Sequence, residues 1–470
     1  MMIPPMLRRL LFLFLPCALA CAADGDVLEK DLWYVGHLNN QPAATMHAVV
    51  TRLADGRRIS QFDTCIVLAR TLGAQSIRIE VNESQHCTED AQGHISDFRI
   101  DQEQNGSRIS ATGVIEGDHV TGTVIRLGRT TTVTLPITPT APLLGQQAAQ
   151  DILVHTPPAL GGAVMASAPA LLNNQLVLIS TTATRLADSD TCNFTYSMAT
   201  DILPPAIAIL DHQGDLVSMH MDLAIFKLVF TRSTGPTVLL GAELASTGLA
   251  QAAGPAPKAA ATNRYKLSVE AASKLPTDGF QSSHEGIVSV HSTVDPSPLE
   301  DPAPFLQAES QYEIDDPALR AWVLSAVTAA QAKNQETLAE CLRLLVRTHI
   351  TAKDLSKADG SALETFRDKR GDCTEHANLL TAVLRIAGIP ARAEVGIVYA
   401  ASYGGWVGHA WNTAYCDGRW IHLDSAYPGI PRSCYIRMAT SSGSDALGTA
   451  AAMMKAFTTL SGTTVEYLPE

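Results

Sequence analysis

With 470 residues the chain is long enough for about three domains of ordinary size. Its residues are 46% hydrophobic and only 17% charged, which excludes an intrinsically disordered chain and allows a sizeable core. The formal net charge is −13, from 34 basic and 47 acidic residues. Phosphate binding needs a concentrated basic surface, and beyond the first residues there is no Lys/Arg run to supply one. Nucleic acid is thereby excluded as the main partner.

The chain opens with "MMIPPMLRRLLFLFLPCALACAAD", in which Arg8 and Arg9 precede an apolar run and then small residues. This is the pattern of a secretory signal over 1–22, with cleavage after Ala20 or Ala22. The run is too short for a stable transmembrane helix, and no later segment reaches the apolar length needed to span a bilayer. "ALAC", ending at Cys21, also resembles a bacterial lipobox, although Ala18 stands where leucine is usual. On that reading membrane attachment is through a lipid anchor at Cys21. The expected location is the periplasm or cell envelope.

Export sets the cysteine arithmetic. Once Cys17 and Cys21 are set aside, seven remain: Cys65, Cys87, Cys192, Cys341, Cys373, Cys416 and Cys434. In an oxidising compartment an odd count leaves at least one thiol unpaired. Cys65 with Cys87, and Cys416 with Cys434, are the pairs that local spacing suggests, and connectivity stays open.

From Asp26 to about Pro136 short alternating runs are broken by Asp55-Gly56, Asn105-Gly106 and a turn at Gly128. Asp-Gly and Asn-Gly favour hairpins whose twist matches paired strands, so an antiparallel β-rich domain is expected over 24–143. A second β-rich region is expected over 148–300, with "AIAILDHQGDLVSMHMDL" as its clearest hairpin and an Ala/Gly/Pro linker at 246–263. After Asp316 the pattern turns helical. Asp316 and Pro317 open one helix, with the proline where its missing N–H costs nothing. Leu338, Cys341, Leu342 and Leu345 mark a second, and "SALETFRDKR" a third. The chain is thus multidomain, with N-terminal antiparallel all-β units followed by an α+β domain over 305–470.

"RGDCTEHANLLTAVLRIAGIPAR" carries the first chemical signal. Asp372 at the cap and Glu375 three residues on form a capping box, and Gly388 with Pro390 supplies the stop. The helix should run from Cys373 to about Ala387. A thiol on its first turn sits at the positive end of the helix dipole, beside unsatisfied N–H groups that favour thiolate and can stabilise an oxyanion. A nucleophile also needs a base and a group to orient it. In "GGWVGHAWNTAYCDGRWIHLDSAYPG", Asp417-Gly418 is a two-residue hairpin turn, which places Trp411 opposite Asp424. His409, two residues from Trp411, shares its face and becomes a diagonal neighbour of Asp424. Asn412 faces away.

These two stretches resemble the transglutaminase-like superfamily, papain-like cysteine enzymes with Cys, His and Asp in that chain order. The resemblance is strong from Gly371 to Pro428. It implies Cys373 as nucleophile, His409 as base and Asp424 as the orienting carboxylate, with the cysteine helix packed on an antiparallel sheet. The N-terminal β units also resemble the β-rich extensions of exported bacterial members. The implied activity is cleavage or transfer of amide or peptide acyl groups through a thioester, with hydrolysis favoured. Protein cross-linking by transamidation is one alternative, and a non-catalytic envelope protein with a residual triad is another. A protein or peptide substrate is the expected partner.

Other signals are weaker. His376 one turn after Cys373 makes a Cys-x-x-His half-site, but zinc would want two further ligands, and Cys416 faces away from His409. His422 reads as packed or solvated. Trp406 and Trp411 either wall a cleft or pack in the core. Gly-x-Ser-x-Gly, Walker and Gly-x-Gly-x-x-Gly motifs are missing, so no cofactor is expected.

Overall fold

The computed structural model describes residues 25–72, 75–104, 106–172, 174–188, 193–222, 227–243, 250–296, 299, 301–354, 360–401, 404–427, 429–441, 460 and 462–469. The signal expected over 1–22, the lipobox at Cys21 and Cys192 lie outside these residues. No helix among the described residues is long and apolar enough to cross a membrane. The chain divides into two compact units, one spanning Met6–Leu244 and the other Ala245–Glu470.

In the first unit, turn signals alternate with β-prone runs, and the chain folds accordingly. Eight strands form a meander: β1 (Val27–Leu38), β2 (Gln41–Arg52), β3 (Arg58–Leu72), β4 (Gln75–Glu89), β5 (Ile95–Gln104), β6 (Ser107–Glu116), β7 (His119–Arg126) and β8 (Arg129–Pro136). Helix α1 (Gln146–His155) follows. A second meander then runs through β9 (Ala163–Leu172), β10 (Gln175–Arg185), β11 (Asn193–Thr200), β12 (Ala206–Asp211), β13 (Leu216–Asp222) and β14 (Lys227–Ser233). Strand order is β8-β7-β6-β5-β4-β3-β2-β1-β14-β13-β12-β11-β10-β9. β15 (Ala242–Glu243) adds in parallel to β3.

The two β regions expected over 24–143 and 148–300 are therefore not separate. β1 and β14 pair antiparallel, with Trp33 opposite Ser233 and Leu38 opposite Leu228. An unpaired strand edge exposes a row of N–H and C=O groups, and each meander satisfies the other's edge. Their side chains share a core in which Phe98, Ile100 and Val120 meet Leu171 and Leu176. The segment before β9 forms α1, whose Leu153 carbonyl accepts from the buried Tyr196 hydroxyl at 2.5 Å.

The second unit begins with β16 (Ala250–Ala253), β17 (Thr262–Lys266), α2 (Val269–Ser273), β18 (Gln281–His284) and β19 (Ile287–His291). Next come α3 (Pro317–Ala330), α4 (Gln335–His349), β20 (Ala352–Lys353), α5 (Ala362–Asp368), β21 (Arg370–Gly371) and α6 (Cys373–Ile386). The unit ends with β22 (Ala391–Ala400), β23 (Gly405–Cys416), β24 (Arg419–Leu423), β25 (Tyr435–Ser441) and β26 (Thr463–Leu468). β26 inserts between β16 and β17 in a five-stranded sheet ordered β16-β26-β17-β19-β18. That pairing corrects the expected boundary. The described part of the supposed linker, 250–263, and the strands up to His291 belong with the C-terminal domain, because β26 from the chain's far end pairs with β16 and β17.

Helices start where their caps predict. Asp316 accepts from the Ala318 and Leu319 N–H groups, and Asn334 accepts from Thr337. α6 packs on the sheet ordered β24-β23-β22-β25, and Leu379, Leu380, Val383 and Leu384 are fully buried against α3 and α4. The Asp417-Gly418 turn has positive φ at both residues, 50° and 88°. It sets the expected register, with Cys416 opposite Arg419 and Asn412 opposite Leu423. Asn412 indeed faces away from His409: its amide donates to Ala377 O at 2.9 Å and Thr381 Oγ1 at 2.8 Å, tying β23 to α6.

Neither suggested disulfide forms, and all six described cysteines are free. Cys65 lies opposite Asn82 and Cys87 opposite Ser60, so the two are five rungs apart on neighbouring strands and face opposite sides. Cys416 ends β23, whereas Cys434 precedes β25 and lies near Lys258.

One buried charge locks α6 in place. Arg385 donates to Ala391 O at 3.0 Å and Gln307 O at 2.7 Å, and pairs with Glu309 at 2.7 Å. Truncation would leave a largely buried carboxylate without its cation. Arg385→Ala is expected to cost about 3–5 kcal/mol, measurable as a lower urea midpoint for the second unit.

Candidate active site

The site assembles at the N-terminus of α6. Asp372 caps the helix, accepting from Thr374 N–H and from the third helical N–H. Glu375 reaches back with both oxygens: Oε2 accepts from Asp372 N–H and Oε1 from Gly360 N–H, each at 2.8 Å. Burial, and then the neighbouring Asp372 charge, push the Glu375 carboxyl well above its ordinary range. Gly371 makes this approach possible, because a Cβ there would lie 2.3 Å from Glu375 Cβ. Cys373 thereby sits on the first turn, half-buried, packed with Ala377, Ala393 and Ala410.

His409, fully buried on β23, donates from Nε2 to Asp424 Oδ2 at 2.7 Å. The hairpin register thus brings together the two residues expected to be neighbours. Burial alone would depress the imidazole, but the Asp424 charge and hydrogen bond, with a further contribution from the Cys373 thiol, raise it to about 10. His409 Nδ1 is buried and has no hydrogen-bond partner, and the Cys373 thiol lies close enough to act on the imidazole's protonation. The three predicted residues therefore converge.

Asp424 is more heavily supported than the sequence indicated. Its Oδ1 accepts from the Ala426 and Tyr427 N–H groups at 2.8 and 2.9 Å. Its Oδ2 accepts from the buried Tyr435 hydroxyl at 2.7 Å as well as from His409. Burial opposes ionisation, yet the His409 charge and these donors hold the carboxyl well below the usual range. From α4, Arg343 donates to Asp424 O at 3.1 Å and Arg347 to Ser425 O at 3.4 Å. Sequence reasoning missed Tyr435, Arg343 and Arg347. Tyr435 lies on β25, which pairs with β22 and not with the hairpin, and no local spacing pointed to it.

The remaining candidates serve structure. His376 Nδ1 is hydrogen-bonded to Ser425 Oγ at 3.1 Å, and burial lowers its imidazole to about 4. Burial and then Arg432 hold His422 at about 3, packed against Tyr435 with ring centroids 4.6 Å apart. Trp406 and Trp411 are buried in the core, Trp406 edge-on to Tyr265 at 5.2 Å and Trp411 to Tyr435 at 5.1 Å. Among the described residues, no group of three or more His, Cys, Asp or Glu side chains is arranged to hold a metal.

Comparison with known proteins finds similarity over parts of the chain. Residues 324–425 match the Transglutaminase-like superfamily. A candidate cysteine protease from Cytophaga hutchinsonii is similar over 39% of this chain and 78% of its own, at 18% identity and a TM-score of 0.29. A beta-barrel-like protein of a domain of unknown function from Brucella abortus is similar over 43% and 94%, at 14% identity and a TM-score of 0.33. A candidate protease from Parabacteroides distasonis is similar over 72% and 68%, at 11% identity and a TM-score of 0.21. No curated protein matches the chain.

Two stability predictions follow from the charges and the close packing. His409, raised on folding, stabilises fully below its unfolded value of 6.5, and that contribution is lost as pH rises toward about 10. Asp424, depressed on folding, stabilises above 3.8, and its contribution is lost as pH falls below that value. The second unit's urea midpoint should therefore be highest between these limits, and Asp424→Asn should flatten both flanks. Gly371→Ala should lower the unfolding free energy by about 1–3 kcal/mol through overpacking against Glu375, seen as a lower urea midpoint.

Proposed function

Because residues 324–425 are a transglutaminase-like core, we propose that the protein is a cysteine amide hydrolase working through a thioester acyl-enzyme. The observation that carries this reading is the half-exposed Cys373 on the first turn of α6, acting on a buried His409 that is itself hydrogen-bonded to Asp424. Sγ of Cys373 attacks the carbonyl carbon of a peptide or amide. Imidazolium His409 gives its proton to the leaving amine, and the C–N bond breaks to leave the thioester. Water then attacks, His409 takes its proton, and the acid and the free thiol are released.

The chain's own groups support each role. Asp424 stabilises the imidazolium, and its carboxylate is pinned by four hydrogen-bond donors. The cap already engages the N–H groups of Thr374 and the third helical residue, while His376 N–H bonds to Asp372 O. Cys373 N–H is the first-turn amide left to face the oxyanion. Hydrolysis is favoured over transamidation because water needs no dedicated acceptor site. The N-terminal signal pattern supports export, with an envelope protein or peptide as substrate.

Turnover of a peptide-amide library, with hydroxylamine trapping of the acyl group, tests the reading. Cys373→Ala should abolish both turnover and trapping. Asp424→Asn should lower kcat on the order of 10³–10⁴-fold. Preferential release to a fluorescent primary amine over water would instead identify a transamidase. No trapped acyl group with any substrate, together with slow iodoacetamide labelling of Cys373, would remove the catalytic reading.

Tyr435 acts on this chemistry as a positioning residue. Tyr435→Phe keeps the ring packing but removes one hydrogen bond to a charge, and should lower kcat roughly 10- to 100-fold with little change in KM. Asp424 then becomes a stronger acceptor for the imidazolium. The alkaline fall in rate, expected in the wild type as pH approaches about 10, should move to higher pH in this variant.

A further inference from the structure

In the first unit, β3, β4, α1 and the strands of the second meander enclose a cavity of about 120 Å³. Protein interiors hold few voids larger than a water molecule, and this one approaches the ~150 Å³ apolar cavity known to take up benzene. It exists because small side chains converge on it: Ala149 of α1, Ala166 of β9, Ala183 of β10 and Ala208 of β12. A leucine at any of them would fill much of the space.

The wall defines what fits. None of the lining residues is charged, so an ionised group inside would lack a counter-charge. Three polar side chains of the wall, Ser60, Gln85 and Ser167, are already engaged. Ser60 donates to Glu89, Gln85 Nε2 donates to Glu83 Oε1 at 2.9 Å, and the Ser167 and Ser180 hydroxyls bond each other at 2.9 Å. On α1, Gln146 Oε1 is buried and accepts no hydrogen bond. Gln146, Ala149 and Gln150 of α1 are half-buried, as are Val164, Ala166 and Ala168 of β9, so the cavity reaches the surface beside these two elements. We infer that the cavity is a binding site for a compact, uncharged hydrocarbon ligand carrying one neutral hydrogen-bond donor, an alcohol or amide, directed at Gln146.

Calorimetric titration of the full-length protein with the n-alcohols from butan-1-ol to decan-1-ol tests this. Affinity should rise about fourfold per methylene and stop rising near hexan-1-ol, the size of about six carbons. Hexanoate, equal in length but charged, should bind at least about tenfold more weakly. Ala183→Leu and Ala208→Leu should each weaken hexan-1-ol at least about tenfold, with far-UV circular dichroism unchanged. Gln146→Leu should weaken hexan-1-ol and leave benzene unaffected. Absence of saturable binding to the wild type, or equal binding by natively folded leucine variants, overturns the site. Affinity that climbs steadily to decan-1-ol overturns the compact ligand in favour of a long acyl chain. Should a leucine variant lose its native spectrum, the chain-length series and the hexanoate contrast decide on the wild type alone.

Discussion

The buried contact between His409 and Asp424 sets the terms for the second unit. Two ionisable groups taken out of water persist only if each stabilises the other's charge and the remaining lone pairs find donors. Asp424 meets that demand with two backbone N–H groups, the Tyr435 hydroxyl and the imidazole itself. Satisfying one carboxylate therefore requires β23, the turn after β24, and β25 to be in place together. Arg343 and Arg347 extend the requirement to α4, since their guanidinium groups hold the carbonyls of the same turn.

The cysteine side of the site is held by different physics. Here the helix terminus is the problem, because its first amides lack partners. Asp372 and Glu375 answer it with a reciprocal cap, and Glu375 also takes in Gly360 N–H. A carboxyl buried this way belongs to the scaffold: it fixes the rotation of α6 and thus where Cys373 points. Asn412 adds a second fastening from β23 to the middle of the helix. The thiol can then stay half-exposed while everything that orients it is buried.

The first unit is organised by strand edges instead of charges. Each meander leaves an edge open, and the β1–β14 pairing closes both into one sheet. Curling such a sheet over α1 brings the two halves' inner faces together. Where those faces carry alanine in place of larger side chains, the core stays open and the cavity results.

Much of this was legible in the linear chain wherever the governing interaction is local. Caps, hairpin turns and helix stops act within a few residues, so Asp372, Glu375, Asp417 and Gly418 announced α6 and the β23–β24 register. With them came the convergence of Cys373, His409 and Asp424. What joins distant segments was not legible. The merger of two β regions into one sheet, the pairing of β26 with β16 and β17, and the absence of both suggested disulfides depend on which edges and rungs meet in space. Tyr435 illustrates the division. By itself the sequence determined the three candidate groups, Cys373, His409 and Asp424, because a turn and a helix cap place them. Only the tertiary structure decided how their charges are stabilised, because a hydroxyl on β25 reaches Asp424 through the packing of a sheet whose strand order no local pattern encodes.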